Sequence, residues 1–501
     1  MDFNVRKRRA VIRTRDYNAT MHLDPTHCYR ALKAHDARFD GRFFVGVSST
    51  WIYCRPVCNV KTPKRENCLF FPSAAAAESA GFRPCLRCRP ELAPGNAGVD
   101  ASARLAQAAA GLIEDGLLNE LGVEDLALRL GVTDRHLRRV FQTEFGVAPV
   151  EFAQTQRLLL AKRLLTDTTI SVTNIAMASG FGSLRRFNTL FKGRYRINPS
   201  DLRKAVDRPR NADLLEFQLG YRSPFDWPAL ISFLGKRAIE GVEYLEGKRY
   251  LRTVRIEHAG VTHSGWICVA LATRKPAVNV LMSTSLAAAI PPVLGRIKRL
   301  LDLACDPSEI SAALGPLAAH SPGLRVPVAF DGFETAVRAI LGQQITVKAA
   351  RTLAGRFAAA FGEPIETPSA ALRFVFPPPQ RIALLGPSQI ASLGIISSRA
   401  NALIALARAV ANGDIRLEPG VDVEATMKAL RALPGIGEWT AQYIAMRALA
   451  WPDAFPHTDY GVLKAMQQTN PRKALEHAGR WQPWRAYAVM HLWHSLEKPK
   501  P

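Results

Sequence analysis

Hydrophobic and polar positions change rhythm several times along the chain. Phe43-Phe44-Val45-Gly46-Val47, followed by Trp51-Ile52-Tyr53, has the short apolar runs of a small sheet, and the Ala-rich stretch from Ser73 to Ala80 predicts a helix after it. From about Asp100 to Lys204 the period becomes helical, with two passages that echo one another. The first runs from Val123 to Phe141 through Leu130-Gly131-Val132-Thr133, and the second from Ile175 to Asn188 through Ser179-Gly180-Phe181-Gly182-Ser183. Each predicts a helix with an alanine on its packing face, a Gly turn, a Ser/Thr cap and a second helix bearing paired arginines, Arg138-Arg139 in one and Arg185-Arg186 in the other. After a linker at Arg208-Pro209-Arg210-Asn211, alternation in Leu214-Leu215-Glu216-Phe217-Gln218-Leu219 and Arg252-Thr253-Val254-Arg255-Ile256 predicts strands. Helical spacing then holds from Ala288 to the C-terminus. The predicted fold class is multidomain α+β, with divisions at 1–21, 22–95, 100–206, 211–320 and 321–501.

A chain of 501 residues is long for one core, which agrees with that division. The net charge of +23 points to a polyanionic partner, nucleic acid foremost, and more than half of the excess lies before residue 211. Residues 1 to about 20 read either as a basic arm that touches phosphates or as an extension upstream of a start at Met21. No apolar core of a signal peptide follows the first basic run, and no apolar run is long enough to span a bilayer, so the expected setting is the cytoplasm, without a membrane partner.

Eight cysteines in so long a chain are too few for a disulfide framework, and a reducing compartment suits them. Four fall into two close pairs, Cys54 with Cys58 and Cys85 with Cys88, while Cys28, Cys68, Cys268 and Cys305 are scattered. The paired spacing is that of a four-thiolate zinc site, and a metal there would also stabilise a module too small to bury much apolar surface. Arginines and lysines surround it, with Arg55, Lys61, Lys64, Arg65 and Arg87 as candidate phosphate contacts. Cys68 lacks the surroundings of a ligand and reads as a buried free thiol.

In the helical C-terminal part, Leu433-Pro434-Gly435-Ile436-Gly437-Glu438-Trp439-Thr440 is a Gly-rich turn between two helices. Gly435 and Gly437 let the backbone approach a phosphate, and N–H groups at the following helix start offer donors. Such a helix-hairpin-helix holds a DNA strand without reading its sequence. It precedes Phe455-Pro456-His457-Thr458-Asp459-Tyr460-Gly461, which sets one carboxylate beyond the hairpin. Asp459 reads either as a functional carboxylate or as an N-cap for the helix starting near Gly461.

These motifs carry three resemblances that together cover nearly the whole chain. Residues 22 to about 92 resemble the zinc domain of the Ada methylation-response family, and the paired passages of 100–206 resemble the tandem helix-turn-helix of AraC-type regulators. Residues from about 211 onward resemble the AlkA branch of the helix-hairpin-helix DNA glycosylases, through Pro224-Phe225-Asp226-Trp227, Arg338-Ala339-Ile340-Leu341-Gly342-Gln343-Gln344 and Trp481-Gln482-Pro483-Trp484-Arg485. The resemblance implies that residues 211–320 form an α+β domain and 321–501 the helical catalytic domain.

The glycosylase likeness implies that Asp459 is the catalytic carboxylate, stabilising the positive charge that grows on deoxyribose as the bond to the base breaks. Trp439 stands where lyase-competent relatives carry lysine, which implies a monofunctional enzyme, and the two scattered cysteines of this half imply no iron-sulfur cluster. Trp439, Tyr443 and Trp493 match the aromatic lining of a pocket for a flipped, electron-poor base. Gln344 matches the residue that fills the gap in the duplex, a position held by leucine in the best-known relative. The hairpin is implied to bind a metal cation through the carbonyls of Arg431, Leu433 and Ile436. In the zinc domain the likeness makes Cys54 the acceptor of a methyl group from a methyl phosphotriester, with Trp51 standing where relatives often have glycine. Loss of one negative charge on methylation lowers repulsion from phosphate and raises DNA affinity. No Pro-Cys-His triplet of the family's second methyltransferase domain occurs.

The combined expectation is a glycosylase for alkylated bases of the 3-methyladenine and 7-methylguanine type, fused to a zinc-thiolate sensor and transcription regulator. Its partners would be duplex DNA carrying alkylated bases or methyl phosphotriesters, promoter DNA and RNA polymerase. The competing expectation is a damage-responsive regulator whose glycosylase half only binds DNA; base release and its dependence on Asp459 separate the two.

Overall fold

The structure, a computed structural model, describes residues 24–94, 101–168, 170–204 and 214–497. The basic segment 1–20 and the linker at 208–211 lie outside these residues. The chain forms two units, one running to residue 210 except for 129–131, which group with the second, residues 211–501.

In the first unit, Asp24 caps helix Pro25–Lys33 by accepting from His27 N at 3.1 Å. A four-stranded sheet follows in the order β3-β1-β2-β4, where β1 is Phe44–Val47, β2 Ile52–Cys54, β3 Cys68–Phe71 and β4 Arg83–Pro84. Antiparallel pairing of β1 sets Val45 opposite Cys54 and Phe70, while β2 pairs parallel with β4. Cys28, Ala31, Leu32, Phe43, Val45, Cys68 and Phe70 make a small core beneath the sheet. The Ala-rich stretch forms helix Ala74–Ser79, capped by Ser73, whose Oγ accepts from Ala76 N at 3.0 Å.

The two echoing passages become helix pairs Val123–Arg129 with Asp134–Phe145 and Val172–Ala178 with Leu184–Tyr195. Thr133 and Ser183 cap the second helix of each, accepting from His136 N at 3.3 Å and Arg186 N at 3.2 Å. Gly131 and Gly180 turn between the helices with φ of 70° and 81°, values that tax any side chain. Helix Pro149–Asp167 joins the pairs.

The second unit begins with a five-stranded antiparallel sheet in the order β5-β9-β8-β7-β6, made of β5 Leu214–Gly220, β6 Glu243–Glu246, β7 Arg249–His258, β8 Val261–Leu271 and β9 Ala277–Ser283. The predicted alternation fails in β7: Arg252 and Thr253 are both buried. Arg252 survives inside because it meets Glu334 at 2.6 Å and Glu243 at 3.9 Å, and its guanidinium lies over Phe330. Arg338 closes the same network against Glu243 at 2.8 Å. The helical remainder packs around a core that includes Phe333, Ile340, Phe357, Leu403, Leu430 and Ile444, interrupted by the two-residue strands Glu363–Pro364 and Phe374–Val375.

Candidate functional site

Parallel pairing of β2 and β4 explains how two distant cysteine pairs meet. Tyr53 pairs with Pro84, and Cys85 N donates to Tyr53 O at 3.0 Å, so Cys54 and Cys85 leave adjacent strand ends side by side. Tight turns then bring round Cys58, whose N donates to Arg55 O at 3.1 Å, and Cys88. All four sulfurs lie within 4.8 Å of one another, and none is in a disulfide. Thiolates bound at about 2.3 Å around a tetrahedral zinc would lie about 3.8 Å apart, so this donor set fits one zinc ion. Arg55 N points at Cys88 Sγ at 3.4 Å, a donor that steadies charge on that sulfur.

One residue of this module departs from expectation. Arg55 is buried and does not face solvent as a phosphate contact; its Nε donates to Asp40 Oδ1 at 2.8 Å and its NH1 to Cys88 O at 3.2 Å. A buried guanidinium needs such a partner. Trp51 has φ of 55°, the left-handed region that favours glycine, and it stacks on Phe82 at 5.0 Å. A crevice of about 260 Å³, including space open to solvent, reaches Cys54 and Cys58 between Leu32, Val45, Val47, Val60 and Pro63, and Trp51 is not among the residues that line it. Cys68 is buried in the small core, apart from the quartet.

On the helix-turn-helix pairs, Arg138, Arg139, Arg185 and Arg186 are all exposed. Arg138 also holds Asp134 one turn back, at 2.8 Å, so part of its charge is balanced locally.

In the second unit the hairpin turn joins helix Val423–Arg431 to helix Glu438–Arg447. Gly435 has φ of 75°, and Gly437, extended and exposed, is the N-cap of the second helix. Trp439 and Tyr443 lie one turn apart on that helix and stack with centroids 5.5 Å apart and planes at 23°. Trp493, from helix Arg485–Ser495, stands 6.3 Å from Tyr443. Asp459 is half-buried between them: Trp439 Nε1 donates to its Oδ2 at 2.8 Å, Trp493 Nε1 to its Oδ1 at 2.9 Å, and Val462 N to its Oδ1 at 2.9 Å. Asp459 therefore does cap helix Tyr460–Ala465 while both indoles aim it. A Cβ on Gly461 would lie 3.1 Å from both Asp459 Oδ1 and Trp493 Cδ1, so the missing side chain leaves room for this approach.

Three contributors were not foreseen. Phe233, from helix Trp227–Lys236, stacks on Trp493 at 6.2 Å and 15°, adding a wall from the α+β region. Arg447 NH1 donates to Tyr443 Oη at 3.1 Å, and its guanidinium covers Phe233 at 5.0 Å. Burial by itself pushes the Tyr443 phenol up, but the guanidiniums of Arg447, Arg237 and Arg338 outweigh it and hold the phenol below its ordinary value. Gln343 donates to Gly435 O at 2.8 Å and to Thr440 Oγ1 at 2.9 Å, which ties the loop carrying exposed Gln344, at φ of 53°, to the hairpin. Phe233 follows the Pro224–Trp227 motif by two turns, the one local hint of its place.

Four family models match the chain: the metal binding domain of Ada over residues 27–91, a helix-turn-helix domain over 126–205, the AlkA N-terminal domain over 216–331, and the HhH-GPD superfamily base excision DNA repair protein over 337–480. A Mycobacterium tuberculosis protein named "probable bifunctional transcriptional activator/DNA repair enzyme AlkA" is 37% identical over 494 residues, 96% of this chain and 98% of that one. The Escherichia coli protein named DNA-3-methyladenine glycosylase 2 is 36% identical over 280 residues, 56% of this chain and 97% of its own length. A solved 3-methyladenine DNA glycosylase from Archaeoglobus fulgidus aligns with a TM-score of 0.48 at 18% identity, over 56% of this chain and 97% of that one.

Proposed function

The chain belongs to the family of bifunctional transcriptional activator/DNA repair enzymes of the AlkA type, and from that premise we propose that it excises alkylated bases from DNA and reports methylation damage through its zinc module. We assign residues 22–95 to the sensor, 100–206 to the regulator, 211–320 to the α+β domain and 321–501 to the catalytic domain.

The observation that carries the excision reading is the unit formed by Asp459 and two pocket indoles. Trp439, Tyr443, Trp493 and Phe233 offer π-faces to a flipped base whose ring nitrogen is alkylated and cationic. Such a base leaves with the electrons of the N-glycosidic bond and needs no strong acid. Asp459, held with its charge toward the slot, stabilises the resulting positive sugar until water adds at the anomeric carbon and gives up a proton. Gln344 fills the gap in the duplex, while Gly435 and Gly437 let the hairpin backbone meet phosphate. The hairpin carbonyls of Arg431, Leu433 and Ile436 would hold a metal cation that draws a DNA phosphate; Leu433 O accepts from Ile436 N at 3.3 Å and retains a second lone pair for it.

In the sensor, Cys54, Cys58, Cys85 and Cys88 would hold zinc, which would keep them as thiolates near neutral pH. Cys54 sulfur attacks the methyl carbon of a methyl phosphotriester, the S–C bond forms as the C–O bond breaks, and a phosphodiester anion leaves. The apolar crevice that opens on Cys54 supports this assignment. Arg138, Arg139, Arg185 and Arg186 then hold promoter DNA, and the bound regulator meets RNA polymerase there.

Incubation of the protein with methylated duplex DNA, followed by mass spectrometry of released bases, tests the enzyme. Release of 3-methyladenine or 7-methylguanine that disappears in Asp459→Asn supports it; damaged-DNA binding without release points to a regulator alone.

A further inference from the structure

Glu78 is fully buried, and neither the thiolate chemistry nor base excision calls on it. It lies near the end of helix Ala74–Ser79, where four side chains from three other elements converge on its carboxylate. Tyr53, the residue before Cys54, donates to Oε1 at 3.0 Å, and Tyr195, the last residue of helix Leu184–Tyr195, donates to the same oxygen at 3.4 Å. Thr155 of helix Pro149–Asp167 donates to Oε2 at 3.4 Å. Arg194 sets its Nε 3.7 Å from Oε2 and also donates to the Glu78 carbonyl.

The other end of the same short helix reaches the first helix-turn-helix. Ser73, its cap, donates to the carbonyl of Phe145, the last residue of helix Asp134–Phe145, at 2.6 Å. A Cβ on Gly146 would meet Pro72 Cγ at 3.1 Å and Ala76 Cβ at 3.3 Å, so the missing side chain of Gly146 permits the close fit. One small helix of the zinc module thus bridges the C-terminal ends of both arginine-bearing helices.

We propose that Glu78 is a positioning residue that passes the methylation state of Cys54 to the two DNA-facing helices. This rests on the reading of Cys54 as the methyl acceptor. Strand β2 is tied on one side by its pairing with β1 and on the other by Cys85 N, so a change of size and charge at Cys54 is borne by a strand with little slack. The Tyr53 phenol carries that change directly to Glu78. Inside a core, a carboxylate and its donors move together, because any donor or acceptor left behind loses a hydrogen bond that water cannot replace. Tyr195, Arg194 and Thr155 therefore follow Glu78. Glutamine is nearly isosteric with glutamate but has one acceptor oxygen, and its NH₂ would face donors.

The test uses the full zinc-loaded chain, unmethylated or methylated at Cys54 by DNA bearing methyl phosphotriesters, with methylation confirmed by peptide mass. Affinity is measured for a duplex selected by the methylated wild type. Wild type should tighten on methylation by on the order of tenfold, a usual size for coupled sites. In Glu78→Gln that ratio should fall to within about threefold, with Tyr195→Phe as the milder variant showing a partial fall. Zinc content and base release should stay at the wild-type level in both. A ratio that survives in both variants overturns the proposal, and so does a loss of affinity equal in the two methylation states, which marks a merely structural contact. A wild type that does not respond to methylation overturns instead the reading of Cys54 as a signal, and the proposal falls with it.

Discussion

Trp439→Phe separates the two things that this indole does. Phenylalanine keeps a ring stacked on Tyr443, but it cannot donate to Asp459 Oδ2, which accepts from Trp439 at 2.8 Å. Hydrogen bonds to charged groups contribute about 1.5–3 kcal/mol, and the half-buried setting of Asp459 favours the lower part of that range. If the bond serves to aim the carboxylate at the sugar, about 1.5–2 kcal/mol appears in the barrier, a loss of roughly 10- to 30-fold in rate. Trp493→Phe should cost less in rate, about 3- to 10-fold. The oxygen that Trp493 serves keeps its bond from Val462 N at 2.9 Å, so the carboxylate stays anchored. Single-turnover release of 7-methylguanine from methylated duplex, at saturating enzyme, reads the chemical step apart from binding. A Trp439→Phe rate within threefold of wild type, or a larger rate loss in Trp493→Phe with DNA affinity unchanged, would refute the idea that the indoles aim Asp459.

Three further outcomes are expected. Gly461→Ala forces its new methyl against Asp459 Oδ1 and Trp493 Cδ1 at 3.1 Å, so base release should fall by about three- to tenfold with little change in melting temperature, as small misplacements at a reacting centre allow. Burial pushes the Glu78 carboxyl from 4.5 up to about 7, even though Arg194 and its hydrogen-bond donors oppose the shift. Because the folded value lies above the unfolded one, its stabilising contribution is complete below pH 4.5 and is lost as pH rises through 7, by about 3 kcal/mol, and denaturant titrations of Glu78→Gln should lack that slope. Chelation of zinc should unfold the module around Cys54, whose core is small, and abolish methyl uptake while base release continues; circular dichroism and the release assay on one sample check both.

Signals that act over a few residues were legible in the sequence. The cysteine spacings marked the quartet, Thr133 and Ser183 announced helix starts, and Gly131 and Gly180 fell at turns that need positive φ. The hairpin and the carboxylate beyond it were also visible, and the structure brings Trp439, Tyr443, Trp493 and Asp459 together. What the sequence hid depends on partners far along the chain. Phe233 is an ordinary apolar helix residue until Trp493 stacks on it, and Arg447 reads as a surface cation until Tyr443 and Pro327 O receive it. Arg55 sat among exposed-looking basic residues, yet Asp40 draws it inside; Arg252 interrupts strand alternation because Glu334 neutralises it in the core. Glu78 follows four alanines and has no local mark at all. Each of the buried charges among them is explained by its partner, and the partner is set by tertiary structure.

If one chain joins two separable chemistries, the most direct measurement tracks both in wild type, Asp459→Asn and Cys54→Ser on the same methylated duplex. Base release and methyl uptake are read together by mass spectrometry of the freed bases and of the peptide containing residue 54. The predicted result is release without methyl uptake in Cys54→Ser, methyl uptake without release in Asp459→Asn, and both in wild type. Folded wild type that binds the duplex but releases no base, or Asp459→Asn that releases bases as fast as wild type, would contradict it.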